Sequence, residues 1–208
     1  MRAPLISHRS RLVRGLTLGV VVTGVFASSV SAATTQVAAN DNRTFSPSSV
    51  TQSVGGGVHW AASGIDEHSV TQDQAVFDSG AAVAGLDFAR VFSAGTFAYH
   101  CEKHADQGMR GQVRVPPQVL ASPRGLPFTV RWATAASNTG TRFDVQYRVG
   151  SGAWRTWKAN TTARSAVFGA RSAPVRVVRR KSYSFRVVSR LSTSARSGLS
   201  PVRTFRPS

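Results

Sequence analysis

An all-β fold of two sandwiches is what this sequence predicts, and three observations predict it. Short runs of Val, Thr, Phe, Tyr and Trp recur between Gly, Ser, Asp and Pro, the pattern of strands separated by turns. No stretch carries helical periodicity over a useful length. Charge then divides the chain. Residues 33–118 hold five basic residues against eight acidic ones, whereas residues 119–208 hold seventeen basic residues against Asp144 alone. The change falls at Pro116-Pro117, a pair that cannot donate to a sheet and favours an extended, stiff connection. The expected domains are therefore 33–116 and 117–208, each within the size range of a small domain.

Taken in order, residues 1–32 read as a secretory signal peptide. Arg2, Arg9, Arg11 and Arg14 precede an apolar run at 16–26 that is short for a bilayer span, and Val30-Ser31-Ala32 offers small residues for cleavage. Residues 1–32 contain no Arg-Arg pair, which favours the general secretory route. No later segment is apolar for long enough to cross a membrane as a helix, so the mature chain is expected to be exported and extracytoplasmic, in the cell envelope or beyond it. Its single cysteine, Cys101, can form no disulfide within the chain. In an oxidising compartment a lone thiol is a liability unless it is occupied, and metal ligation is the simplest occupation.

Strands are expected in the first domain at 49–54, 57–60, 68–71, 89–92 and 96–101, short segments at the regular spacing of a sandwich. Along the last of them alternation puts Phe97, Tyr99 and Cys101 on one face and Ala98 and His100 on the other. With the aromatic face inward, Cys101 points into the domain and His100 away from it. His104 follows Cys101 by three residues and Met109 by eight, so a thiolate, an imidazole and a thioether share one loop. That donor set suits copper cycling between Cu(I) and Cu(II). A second imidazole must come from elsewhere, and His68 is the best placed candidate, with His59 beside Trp60 as its substitute.

The pattern Phe97, Tyr99, Cys101, His104, Met109, Gly111, Val113 and Val115, preceded by His68 and Val70, resembles the cupredoxin, or blue-copper, family, with a loop spacing most similar to plastocyanins. The resemblance covers roughly residues 40–115. It implies a Greek-key β-sandwich holding one type 1 copper by His68, Cys101, His104 and the weak axial ligand Met109. It also implies a supporting residue after the first His; the family commonly has Asn there and this chain has Ser69. Glu67 and Lys103 stand where prolines frequently precede the two His ligands, which makes the His104 edge, the family's usual electron port, less apolar. Gly108 and Gly111 permit a tight loop.

Rival chemistries fit less well. Zinc suits Cys and His but not Met. A Cys-His nucleophilic pair within one loop has no orienting acid. Multicopper oxidases use a His-Cys-His stretch, but Glu102 replaces its second His, and no His-x-His pair exists for a further centre. A copper nitrite reductase could recruit a ligand from a neighbouring chain. His100, on the outward face beside Cys101, is an electron-exit candidate. Redox catalysis is not expected, and the chain reads as a carrier rather than an enzyme.

In the second domain, strands are expected at 128–132, 142–149, 153–158, 166–168, 182–188 and 202–205. Trp132, Tyr147, Trp154, Tyr183 at a tyrosine-corner position and the segment 197–201 resemble a fibronectin type III domain over 118–208. Fold analogy assigns no ligand. The cluster Arg176, Arg179, Arg180, Lys181, Arg186 and Arg190 is the candidate polyanion-binding set, suited to an anionic cell-wall polymer, a membrane surface or an acidic redox partner. Nothing in it reads bases, so sequence-specific nucleic-acid binding is not expected. The reading is an exported one-electron copper carrier tethered by a basic domain. A copper carrier or sequestering protein and an adhesive surface module are the alternatives.

Overall fold

The computed structural model describes residues 33–122, 126–137, 140–170 and 175–208; the expected signal peptide lies outside them. The first eight strands are β1 (Thr34–Asn40), β2 (Thr44–Ser46), β3 (Ser49–Thr51), β4 (Gly57–Ala61), β5 (Thr71–Gln72), β6 (Asp87–Val91), β7 (Gly95–His100) and β8 (Arg110–Val115). They form two four-stranded sheets, ordered β2-β1-β4-β6 and β3-β8-β7-β5. The pairs β1/β4 and β3/β8 are parallel and the others antiparallel, so the chain crosses repeatedly between the two layers.

Alternation builds the space between these layers. In β7, Phe97 and Tyr99 are buried while Ala98 is exposed, and the same period continues to Cys101. Trp60 from β4 sits at the centre, meeting Tyr99 edge to face at a centroid distance of 5.3 Å and Phe92 at 6.1 Å. Each such ring removed from water contributes about 1.5–3 kcal/mol. The segment expected as a strand at 68–71 is mostly loop: only Thr71 and Gln72 pair with β7, and His68 makes a single bridge to Val83. The sequence reading missed β1. Its buried residues are only Val37 and Ala39, small side chains that leave a faint period-two signal among Thr, Gln and Asn.

The remaining strands are β9 (Gln118–Leu120), β10 (Phe128–Arg131), β11 (Arg142–Val149), β12 (Arg155–Thr161), β13 (Ser165–Phe168), β14 (Tyr183–Arg190) and β15 (Arg203–Phe205). A three-stranded sheet, β13-β10-β9, faces a four-stranded one, β12-β11-β14-β15, and all pairings are antiparallel. Phe168 lies between them, with Trp157 and Phe185 edge-on, each at 5.0 Å. The Tyr183 hydroxyl accepts from Val178 N–H at 2.8 Å, tying the start of β14 to the loop before it. The protein is all-β among the described residues apart from one 3-10 turn.

The two sandwiches are hydrogen-bonded to each other and belong to one compact unit. Thr96 and Gly198 exchange backbone hydrogen bonds of 3.2 and 2.8 Å, an antiparallel bridge that joins β7 to the segment before β15. Ala94 N–H donates to Trp132 O at 2.7 Å and Arg196 N–H to Gln74 O at 3.2 Å. The Ser189 hydroxyl donates to Ala94 O at 2.7 Å and lies 3.0 Å from the Ser93 hydroxyl, both serines being buried. The Cβ-less backbone of Gly95 packs against Ser197 where a side chain would collide.

Candidate metal centre

Strand β7 carries Cys101 inward at its end, and the chain then turns through a single 3-10 turn, Ala105–Gln107. Three backbone bonds close this loop on itself. His104 N–H donates to Cys101 O, Cys101 N–H to Met109 O and Met109 N–H to His104 O, each at 3.1 Å. Gly108 caps the turn in the left-handed region, at φ 84°, where a side chain is strained. Gly111 serves differently: the Tyr99 ring lies where its Cβ would be.

His68 arrives from the other ligand loop. Its Nδ1 is 4.0 Å from Cys101 Sγ, and His104 Nδ1 is 3.6 Å from the same sulfur. The potential ligand atoms of His68, Cys101 and His104 all lie within 4.8 Å of one another, and all three residues are buried. For metal–sulfur and metal–nitrogen bonds of about 2.3 and 2.0 Å, a trigonal angle requires a sulfur–nitrogen separation of about 3.7 Å, so one ion fits between them. Met109 is fully buried and clamped by backbone to both loop ligands. Two imidazoles, a thiol and a thioether form the donor set that suits copper.

Ser69 joins the two loops. Its amide points to Cys101 Sγ at 3.4 Å and its hydroxyl accepts from Glu102 N–H at 3.0 Å, so both its backbone and its side chain reach the Cys101 loop. An exposed ion pair of 2.8 Å between Glu67 and Lys103 spans the same gap outside. It holds the Glu67 carboxyl below and the Lys103 amine above their ordinary ranges, through their mutual hydrogen bond and charge. Burial pushes the His68 imidazole down, and His104 adds to this, while Asp66 and Asp41 act in the other direction. A neutral imidazole is the form that binds a metal.

Behind His68 stands a residue that sequence reasoning did not single out. His68 Nε2 is buried without a hydrogen-bond partner, and Asp41 Oδ1 lies 3.9 Å from it. The Asp41 carboxylate accepts from the amides of Ile65 and Asp66, both at 3.2 Å. No spacing motif links a carboxylate on the β1–β2 turn to a His in a later loop.

The other candidates lie apart from this cluster. His59 is on the outer side of β4, bonded to Gln36 at 2.6 Å and paired with Asp87. His100 faces outward from β7 and pairs with Asp73 at 2.7 Å. Of the basic cluster, Arg176, Arg179, Arg180 and Lys181 are exposed in the loop before β14, where Arg179 holds the Ser208 carbonyl at 2.7 Å. Arg186 and Arg190 lie on β14 itself. Arg186 donates to Gln146 at 2.7 Å and stacks on Trp154 at 4.2 Å, with Arg148 at 4.8 Å from the same ring. Arg190 is paired with Asp144. The loop and strand groups are thus differently engaged.

No family model and no curated protein matches the chain. Among solved structures it is similar to the oxidised plastocyanin of Dryopteris crassirhizoma, at 22% identity over 38% of this chain and 98% of that one, with a TM-score of 0.35. It is similar also to a purple cupredoxin from Nitrosopumilus maritimus, at 24% identity over 39% of this chain and 98% of that one, with a TM-score of 0.35. A Cu(I) form of an amicyanin mutant aligns at 25% identity over 39% of this chain and 81% of that one, with a TM-score of 0.31.

Proposed function

We propose that this chain is an exported type 1 copper protein that carries single electrons. The observation that carries the reading is the burial of His68, Cys101 and His104 around one point, with Met109 fastened into the same loop. Copper bound there would supply a one-electron couple between Cu(II) and Cu(I). The chain's own part is to hold the donors still. The Cys101–His104–Met109 backbone clamp and the Ser69 bridge between loops resist rearrangement, which keeps the geometry similar in both oxidation states. His104, only 4% exposed, is the ligand nearest to an opening, and His100 on the far side of β7 is the second candidate exit.

Burial also weighs against a metal-delivery role. A carrier that hands over its ion needs a ligand an acceptor can reach, and Cys101 and Met109 are inaccessible. We infer further that 33–116 is a cupredoxin domain and 117–208 a fibronectin type III-like domain, the latter supported by the three-plus-four antiparallel sandwich and the Tyr183 corner. Its excess of Arg would hold the protein to an anionic polymer or membrane surface.

The test is visible absorption of the mature protein with one equivalent of Cu(II), beside Cys101→Ser, through reduction and reoxidation. An intense band that is lost in the mutant and bleaches reversibly without copper release is the expected result. A colourless complex, or copper released on each cycle, refutes the electron carrier and favours metal delivery. Surface binding that is intact while wild type takes up no copper favours the adhesive module.

A further inference from the structure

We propose that Asp41 is a positioning residue for the metal centre: its carboxylate faces the buried ring edge of His68, fixes that imidazole and biases the site toward the more positive oxidation state. The inference rests on the copper reading above and goes beyond it. His68 turns Nδ1 toward Cys101 Sγ, so Nδ1 is the metal-side nitrogen and Nε2 carries the ring hydrogen. That N–H is buried and unpartnered among the described residues, which is rare in folded proteins and calls for an acceptor.

Asp41 is built to be that acceptor. It sits on the turn between β1 and β2, and the amides of Ile65 and Asp66 hold its two oxygens from the loop that leads to His68. Gly64 makes room for it; a Cβ there would occupy the position of the carboxylate. At 3.9 Å the contact with Nε2 is longer than a hydrogen bond, and a shift of about 1 Å brings Oδ1 into range. Carboxylates placed behind a ligating His set its tautomer and orientation and raise its basicity. A negative charge at this distance stabilises Cu(II) over Cu(I).

The experiment compares wild type, Asp41→Asn and Asp41→Ala by reduction potential, and by the nitrogen chemical shifts of His68 in the protein loaded with zinc. Loss of such an outer partner costs metal affinity about tenfold or more. If that loss falls on Cu(II), Asp41→Ala raises the potential by about 59 mV per tenfold. Asp41→Asn keeps Oδ1 as an acceptor toward Asp66 N–H and His68 but loses the charge and the oxygen that accepts from Ile65 N–H, so it shifts the potential the same way by less and leaves the His68 tautomer unchanged. A merely structural role would lower the melting temperature without moving either readout. Blue variants with wild-type potentials and unaltered His68 shifts overturn the proposal alone. A wild-type protein that takes up no copper overturns the function, and this proposal falls with it.

Discussion

Ser189→Ala tests whether the two sandwiches move as one block. The Ser189 side chain is 1% exposed, donates to Ala94 O across the junction at 2.7 Å and faces the Ser93 hydroxyl at 3.0 Å. Removing it strands a carbonyl and a hydroxyl in a place closed to water. One unsatisfied buried group costs about 1–3 kcal/mol. Because the Ala94 carbonyl and the Ser93 hydroxyl both lose a partner, we expect a loss of roughly 2 kcal/mol. The assay is urea unfolding of the metal-free mature protein, following backbone amide NMR signals from β4 and β11 in parallel. Signals from both sandwiches should vanish together, and the mutation should move both midpoints equally at constant slope. A change below about 0.5 kcal/mol, typical of a surface site, would refute the junction as an energetic link, and so would separate midpoints in wild type.

Gly111→Ala should cost about 1–3 kcal/mol and alter the visible spectrum, because the added Cβ meets the Tyr99 ring, which is wedged between Phe45 at 4.9 Å and Trp60 at 5.3 Å; thermal unfolding and copper absorbance check this. Burial pushes the Tyr99 phenol up to about 12 from its ordinary 10. The folded state thus resists ionisation, so its contribution is fully present below pH 10 and is lost as pH rises to about 12, a fall of roughly 2–3 kcal/mol that Tyr99→Phe should abolish in an alkaline unfolding series. Asp144→Ala should lower stability by about 1 kcal/mol, more at low salt, since Arg142 and Arg190 are cross-strand neighbours and Asp144 both pairs with Arg190 and accepts from Asn160 N–H; denaturation at two ionic strengths measures it.

How far the sequence carried depended on whether the information was local. The loop from Cys101 to Met109 could be read because donor types and spacing lie within nine residues and the strand before it alternates cleanly. Strands β11 and β14 were legible for the same reason: long, aromatic on one face and Arg-rich on the other. Strand β1 was not, because Val37 and Ala39 bury too little side chain to stand out. Asp41 was illegible in principle. Its relation to His68 exists only once a turn and a loop are brought together through Gly64, and an Asp in an Asp-Asn turn signals only the turn.

The junction changes what a tether means here. Pro116-Pro117 suggested two domains on a stiff connection, yet β8 passes into β9 with two residues between them, and the sandwiches then bond directly. Strand β7 sets where this happens. Its first residues, Gly95 and Thr96, lie against Ser197 and Gly198, while Cys101 follows its last residue, His100. At about 3.3 Å per residue, the five steps from Thr96 to Cys101 separate the junction from the metal centre by about 17 Å along the strand. The second sandwich therefore joins the first at the end remote from the ligand loops and leaves the His104 side uncovered by that contact. The turns and loops of the ligand end carry Asp41, Asp66, Glu67, Glu102 and Asp106 against Arg43 and Lys103, a small acidic excess, whereas the Arg excess lies beyond the junction. On the proposed function, a redox partner at the metal end and an anionic surface at the basic end would therefore use different faces.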